Sequence, residues 1–283
     1  MELENNLILN KLFTKNMINE LLQKESSKIF SYSIKRYIQD PVGKEFRTLI
    51  SEIYSYMDNE YRNEYYYKNT LINKLLLERY SMKETTALTE LPIDNSKADF
   101  VMINSEGIVY EIKTGLDNSD RLNGQINDYY KAFKVVYVVT CEYHCKKILD
   151  LVDEYVGIII LSATNKLEVI REAKENSNNL DFKTIFNILR KMEFESIITD
   201  LDKELPEVSQ FIYYKECRKI LEKMDVIDLQ AEMLQKLKDR QNIEVKEYKE
   251  TVPYELKFLI YFSNFRKKEY INLSRVLKLE FEG

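Results

Sequence analysis

Between residues 87 and 161 the apolar residues change their spacing, and that change sets the fold class. Upstream, Leu7, Ile8, Leu12, Phe13 and Met17 recur at helical intervals. From Ala87 the period becomes two. Strands are expected over 87–93, 98–103 and 108–114, joined by turns at Asp94-Asn95-Ser96 and Asn104-Ser105-Glu106-Gly107. A helix over 120–132 then leads to the apolar run KVVYVVT at 134–140, and a helix over 142–154 leads to another at 156–161. A strand that is apolar throughout is covered on both faces. A short edge strand is expected over 167–171. The expected fold is α/β, with helices before and after the sheet.

The flanks read as helical. After the break at Pro41-Val42-Gly43 a helix is expected over 44–57. Another runs over 62–80 with Leu71, Leu75 and Leu76 on its buried side and Glu64 in its first turn, where the helix dipole favours an acid. From Asp181 the chain is helical again, with stops near Leu205-Pro206 and Thr251-Val252-Pro253. The polar stretch EAKENSNN at 172–179 is the best linker candidate. The expected organisation is a helical extension over 1–60, a core over 61–175 and a helical region over 180–283.

Several function classes are excluded or disfavoured. His144 is the only histidine, so a site of several histidines is impossible. Cys141-x-x-His144-Cys145 lies on one short expected helix, with Cys217 far away in sequence, which does not suit a tetrahedral zinc site. Three cysteines build no disulfide framework, which fits a reducing compartment. No apolar run approaches the roughly 20 residues that span a bilayer, and the first residues show no leader cleavage pattern, so the expected location is cytoplasmic, with no membrane partner. The formal net charge is −5, whereas nucleic-acid binders are usually basic. Local patches do the binding, however, and Arg266-Lys267-Lys268 is a candidate for phosphate contact beside the alternative of a solvated face.

The chemistry concentrates on the second and third strands, which the Asn104–Gly107 turn joins. Asp99 opens one apolar run, and Glu111-Ile112-Lys113 closes the next. Glu111 and Lys113 are two apart in a strand and share a face, while Ile112 points away. The two carboxylates can converge at one end of the sheet. Hard magnesium takes oxygen ligands, so Asp99, Glu111, the Ile112 carbonyl and Glu90 on the preceding strand form a candidate metal set. Lys113 would then stand beside the metal, able to orient water or stabilise charge. Glu-x-Lys alone is usually an ion pair on a strand face. Asp99 and Glu111 on neighbouring strands repel each other, however, unless a cation offsets them.

These residues carry a resemblance. The span from about Arg62 to Leu161 resembles the PD-(D/E)-x-K nuclease superfamily, the restriction-endonuclease-like fold, in the order helix, three-strand meander, helix, strand. Asp99 matches its first acid and Glu111-Ile112-Lys113 its E-x-K. Ala98 stands where the family has a proline, a position that varies. Gln125-x-x-x-Tyr129 resembles the Q-x-x-x-Y element of the RecB-like branch, in which both side chains face the site and contact nucleic acid. The segments around Asp99 and Lys113 also resemble a group of bacterial, often prophage-associated proteins described only as nuclease-like. The resemblance implies fold and metal chemistry and gives no substrate.

The expected function is therefore a magnesium-dependent nuclease, with manganese a possible substitute, and with DNA the leading expectation for its substrate and RNA the alternative. Glu64 resembles a metal-binding acid on the first core helix of some branches. Lys97 and Arg121 flank the site as candidate phosphate contacts, and Thr114 is a candidate water anchor or strand cap. Tyr129 and Tyr130 are weighed between base stacking and packing. The competing expectation is a binding module on a nuclease-like fold without turnover. Phage defence or counter-defence, a protein partner at the helical flanks and a homodimer all remain open at this point.

Overall fold

The computed structural model describes residues 6–283, so residues 1–5, the start of the expected helical extension and of the segment inspected for a leader, lie outside the described residues. The chain forms two compact units, residues 1–82 with 242–283 and residues 83–241. These cut the chain differently from the three segments read in the sequence, because the helix before the first strand belongs with both chain ends.

The first unit begins with helices α1 (Leu9–Leu12), α2 (Lys15–Lys24), α3 (Lys28–Tyr37), α4 (Phe46–Glu60) and α5 (Glu64–Leu71). Short polar residues start two of them. The Thr14 hydroxyl accepts from the Met17 N–H, and Asn63 Oδ1 accepts from the Tyr66 N–H at 3.1 Å. The single helix expected over 62–80 is not uniform. Past Leu71 it widens into a π-helical segment, Ile72–Arg79. Two buried amides accompany the change. Asn73 donates to the Asn69 carbonyl at 2.8 Å, and both asparagines donate to the Tyr254 carbonyl. Side chains that compete for helical carbonyls displace the regular ladder.

The second unit carries the sheet. Its strands are β1 (Thr86–Ile93), β2 (Ser96–Ile103) and β3 (Gly107–Lys113), then α6 (Leu122–Tyr130), β4 (Val135–Thr140), α7 (Glu142–Leu151), β5 (Gly157–Leu161) and β6 (Leu167–Arg171). They lie in sequence order, β1 to β6. The first three form an antiparallel meander, β3 to β5 run parallel, and β6 closes the edge antiparallel. This is the expected α/β arrangement with strand ends within one or two residues. All five residues of β5 are buried, whereas β6 exposes its middle three.

Four helices follow, α8 (Phe182–Ile188), α9 (Lys191–Asp200), α10 (Gln210–Leu221) and α11 (Val226–Lys238). Leu229, Met233 and Leu237 of α11 join one apolar core with Val101, Ile103 and Val109 of the sheet. Gly107 permits the close approach, since a Cβ there would lie 2.5 Å from Leu234 Cδ2. The candidate linker at 172–179 does not separate units. Its backbone is tied down by bonds from Lys174 to Tyr155 and from Asn176 to Lys134.

Arg240 fastens the end of this unit. Its Nε donates to Glu193 Oε1 at 2.7 Å and its Nη2 to Glu193 Oε2 at 2.6 Å and to the Ile188 carbonyl. Burial pushes the Glu193 carboxyl up, but the guanidinium and the Arg190 N–H outweigh it and hold the group below its ordinary range. The resulting stability is present above the ordinary value near 4.5 and is lost as pH falls through the depressed one. Arg240→Ala leaves the largely buried Glu193 unpaired and is expected to cost about 3 kcal/mol at neutral pH. Thermal denaturation should show a midpoint lowered by on the order of 10 °C, and an unchanged midpoint would show the pair to be inert.

The chain then returns to the first unit with α12 (Val245–Thr251), a short 3-10 turn at Tyr254–Leu256, α13 (Lys257–Tyr261) and α14 (Lys267–Val276). No helix among the described residues is long and apolar enough to cross a membrane.

Candidate active site

The site residues lie at the carboxyl end of β3. The β2–β3 pairing runs from Ile103–Gly107 to Phe100–Tyr110. Asp99 and Glu111 occupy the next position along, on the face shared with Val101 and Val109. On the other side Glu111 pairs with Val138 and Lys113 with Thr140 of the parallel β4. The Thr140 hydroxyl donates to the Lys113 carbonyl at 2.8 Å, which pins the end of the strand.

Glu111 is 1% exposed, and both its oxygens are engaged. Lys113 Nζ donates to Oε1 at 2.7 Å, and the Tyr129 hydroxyl donates to Oε2 at 2.6 Å. Lys113 Nζ also donates to Gln125 Oε1 at 2.9 Å. Gln125 and Tyr129 are four apart on α6 and present one face to the strand. Asp99 Oδ2 accepts from the Ile112 N–H at 2.8 Å. The acid on β2 is thus tied to the strand bearing Glu111 and Lys113 through backbone.

Burial raises the Glu111 pKa above the ordinary carboxylate range, against the opposing pull of Lys113 and the hydrogen bonds from Tyr129 and Gln125. Burial, the Glu111 charge and the Asp99 charge push the Tyr129 phenol far above its usual range, so it stays protonated as a donor. Two facing carboxylates on neighbouring strands need a cation to offset their repulsion. The chain itself supplies one in Lys113, so that repulsion is not by itself a sign of metal.

The structure brings Asp99, Glu111, Ile112, Lys113, Gln125 and Tyr129 together. Tyr129 and Tyr130 are 0% and 2% exposed, so neither ring offers a face to a base. Tyr129 acts on Glu111, and Gln125 on Lys113. The Lys97 carbonyl lies 3.0 Å from the Tyr129 hydroxyl, while its ammonium stands 3.7 Å from Glu90. Glu90 itself is exposed and takes φ 53° in the middle of β1, a left-handed conformation that is strained for a residue with a Cβ. Thr89 holds the neighbouring strand there, its hydroxyl donating to the Asp99 carbonyl at 2.8 Å. Arg121 is exposed at the start of α6 with no ion pair among the described residues. Thr114 is a strand cap, with both its N–H and its hydroxyl donating to Asp117. Glu64 belongs to the other unit, where it pairs with Lys68 at 2.5 Å. Sequence reasoning missed the Tyr129–Glu111 bond, because helical spacing says which face a tyrosine shares and not which acid it reaches.

The fold and site define an α/β protein whose mixed sheet carries a buried glutamate–lysine–glutamine–tyrosine network beside a second acid. The model of the family described as Bacteriophage P4 protein cII matches residues 57–259, and the chain belongs to that family. The matched span holds the whole sheet and every residue of the network. No curated protein matches the chain. Among solved structures it is similar to a protein of unknown function from Silicibacter pomeroyi, at 16% identity and a TM-score of 0.27. That similarity covers 33% of this chain and 63% of the other, so it spans less than two thirds of its length.

Proposed function

We propose that this chain is a metal-dependent nuclease with a restriction-endonuclease-like core, hydrolysing phosphodiester bonds with DNA as the preferred substrate. The observation that carries the reading is the arrangement at one strand end. A buried glutamate is held between an ammonium and a phenol, and the acid of the neighbouring strand is fixed to the backbone between Glu111 and Lys113. An ordinary strand-face ion pair has no need of burial, a tyrosine clamp or a second acid.

The donor set fits magnesium. Asp99 and Glu111 offer hard oxygens, and a carboxylate oxygen has lone pairs for a metal beside the hydrogen bonds that Glu111 accepts from Lys113 and Tyr129. A divalent ion would also offset the cost of ionising Glu111 where it is buried. Asp99 and Glu111 would hold the ion, which when bound polarises phosphate oxygen and acidifies water. Lys113 orients the attacking water and faces the negative charge that develops on the phosphoryl oxygens. Gln125 fixes the lysine, and Tyr129 fixes the carboxylate. Glu90 and the Ile112 carbonyl are candidates for further oxygens.

Outer partners of a metal carboxylate typically matter by 10- to 100-fold in affinity or activity. Tyr129→Phe is therefore expected to weaken Mn2+ binding by at least about tenfold in a calorimetric titration. Unchanged affinity would remove Tyr129 from the site. The reading as a whole is tested with supercoiled plasmid, linear duplex, single-stranded DNA and structured RNA, each with magnesium and with EDTA. Metal-dependent cutting of a DNA substrate is expected. Intact substrates in every case, together with metal-insensitive binding, would favour a binding module without turnover.

A further inference from the structure

The two units differ in charge. The unit with the sheet, residues 83–241, holds 22 Lys/Arg against 29 Asp/Glu, and the helical unit holds 20 against 18. A net charge of −7 on that unit disfavours a polyanion there, so basic segments of the helical unit are candidates for additional phosphate contact. One segment of the helical unit is densely basic. From Arg266 to Lys278 there are five basic residues (Arg266, Lys267, Lys268, Arg275, Lys278) and one acid, Glu269. Glu269 turns inward as the helix cap, accepting from the Arg266 N–H at 2.9 Å. The segment lies beyond the residues matched by the family model.

Its placement is directional. Tyr270, Leu273 and Val276 form the buried side of α14, while Lys267, Lys268, Ile271, Arg275 and Lys278 are exposed. Lys268 and Arg275 are seven apart, two turns along one side and about 10 Å in length. Beside them is a cavity of about 570 Å³ lined by Tyr270, Ser274, Arg275 and Lys278 together with Glu247 and Thr251. The Tyr270 phenol is buried with no hydrogen-bond partner among the described residues. Nearby acids temper two of the cations, since Lys267 stands 3.7 Å from Glu247 and Arg275 pairs with Glu25 at 2.6 Å. Lys268 and Lys278 have no ion pair among the described residues.

We propose that the outer face of α14 and the lysine after it bind the phosphodiester backbone of a nucleic acid. The choice of a nucleic acid over another polyanion rests on the nuclease reading, and the cation pattern rests on the structure alone. Such contacts carry no sequence preference and are strongly salt-dependent.

The test measures binding of a labelled 30-mer, duplex and single-stranded, in EDTA at several salt concentrations, with the full chain and with Lys268→Ala/Lys278→Ala. Both lysines are exposed, so folding is not at stake. The variant is expected to bind on the order of tenfold more weakly, with the slope of log affinity against log salt reduced by about two. Affinity and slope equal to the wild type would overturn the surface. If those lysines matter and no substrate is ever cut, the surface stands and the nuclease reading fails. If DNA is cut and the lysines are silent, the nuclease reading stands and this surface fails.

Discussion

Lys113→Ala is expected to reduce cleavage on the order of a thousandfold, the scale of losing one donor aimed at developing charge. It should also destabilise the sheet unit. Glu111 is 1% exposed, and without the ammonium 2.7 Å away its charge is buried with only neutral donors. Removing one partner of such a pair costs about 3 kcal/mol. The two effects separate with pH. Glu111 ionises less readily in the fold than in the open chain, so the stability deficit of the variant grows as pH rises through the raised folded value and shrinks when the carboxyl is protonated. Denaturation at acid and neutral pH, beside cleavage under conditions where the variant is folded, distinguishes lost chemistry from lost structure. Full cleavage by a folded Lys113→Ala would remove the lysine from the mechanism.

Glu111→Gln should give the opposite combination, with cleavage lost and the fold kept or strengthened. The pKa of Glu111 is raised because burial outweighs the pull of Lys113. The folded state therefore binds a proton more tightly than the unfolded state. Wild-type stability accordingly falls as pH rises from the ordinary value near 4.5 through the raised one. Glutamine does not ionise, retains an acceptor oxygen, and leaves Lys113 its bond to Gln125. The variant should gain stability relative to the wild type across that window, while cleavage falls by at least about a thousandfold. Sites that trade stability for activity behave in this way. A variant that loses ground to the wild type as pH rises would mean that Lys113 more than compensates the burial.

Much of this was legible in the residues. The switch from helical to two-residue spacing at Ala87, and the apolar runs at 134–140 and 156–161, placed every strand within one or two residues, because burial on one or both faces dictates those patterns. The same-face placement of Glu111 and Lys113 followed from strand geometry alone. Three things were hidden. The widening of the helix at Ile72 comes with bonds from Asn69 and Asn73 to the Tyr254 carbonyl, nearly two hundred residues away, which no local pattern announces. The clustering of the first 82 residues with the last 42 is a long-range property that no local signal announces. The role of Tyr129 depends on the fit of α6 against β3, so a residue read as a nucleic-acid contact is instead a buried partner of Glu111.

The acidic balance of the chain, which argued against a nucleic-acid partner, falls mainly on the unit with the sheet. On the proposed reading, a site that gathers cations tolerates that charge, and the exposed lysines Lys268 and Lys278 add phosphate contact in the helical unit. This division makes metal dependence and salt dependence separable. Metal should act through Asp99 and Glu111, and salt through Lys268 and Lys278.

The most direct measurement compares the wild type with Asp99→Asn on supercoiled plasmid in magnesium. Asparagine keeps an acceptor for the Ile112 N–H and so preserves the tie between β2 and β3 while removing the charge that would hold the metal. The wild type should nick or linearise the plasmid in magnesium and not in EDTA, and folded Asp99→Asn should leave it intact. Equal cutting by the two proteins would contradict the account, because hydrolysis would then arise somewhere other than the strand ends of β2 and β3.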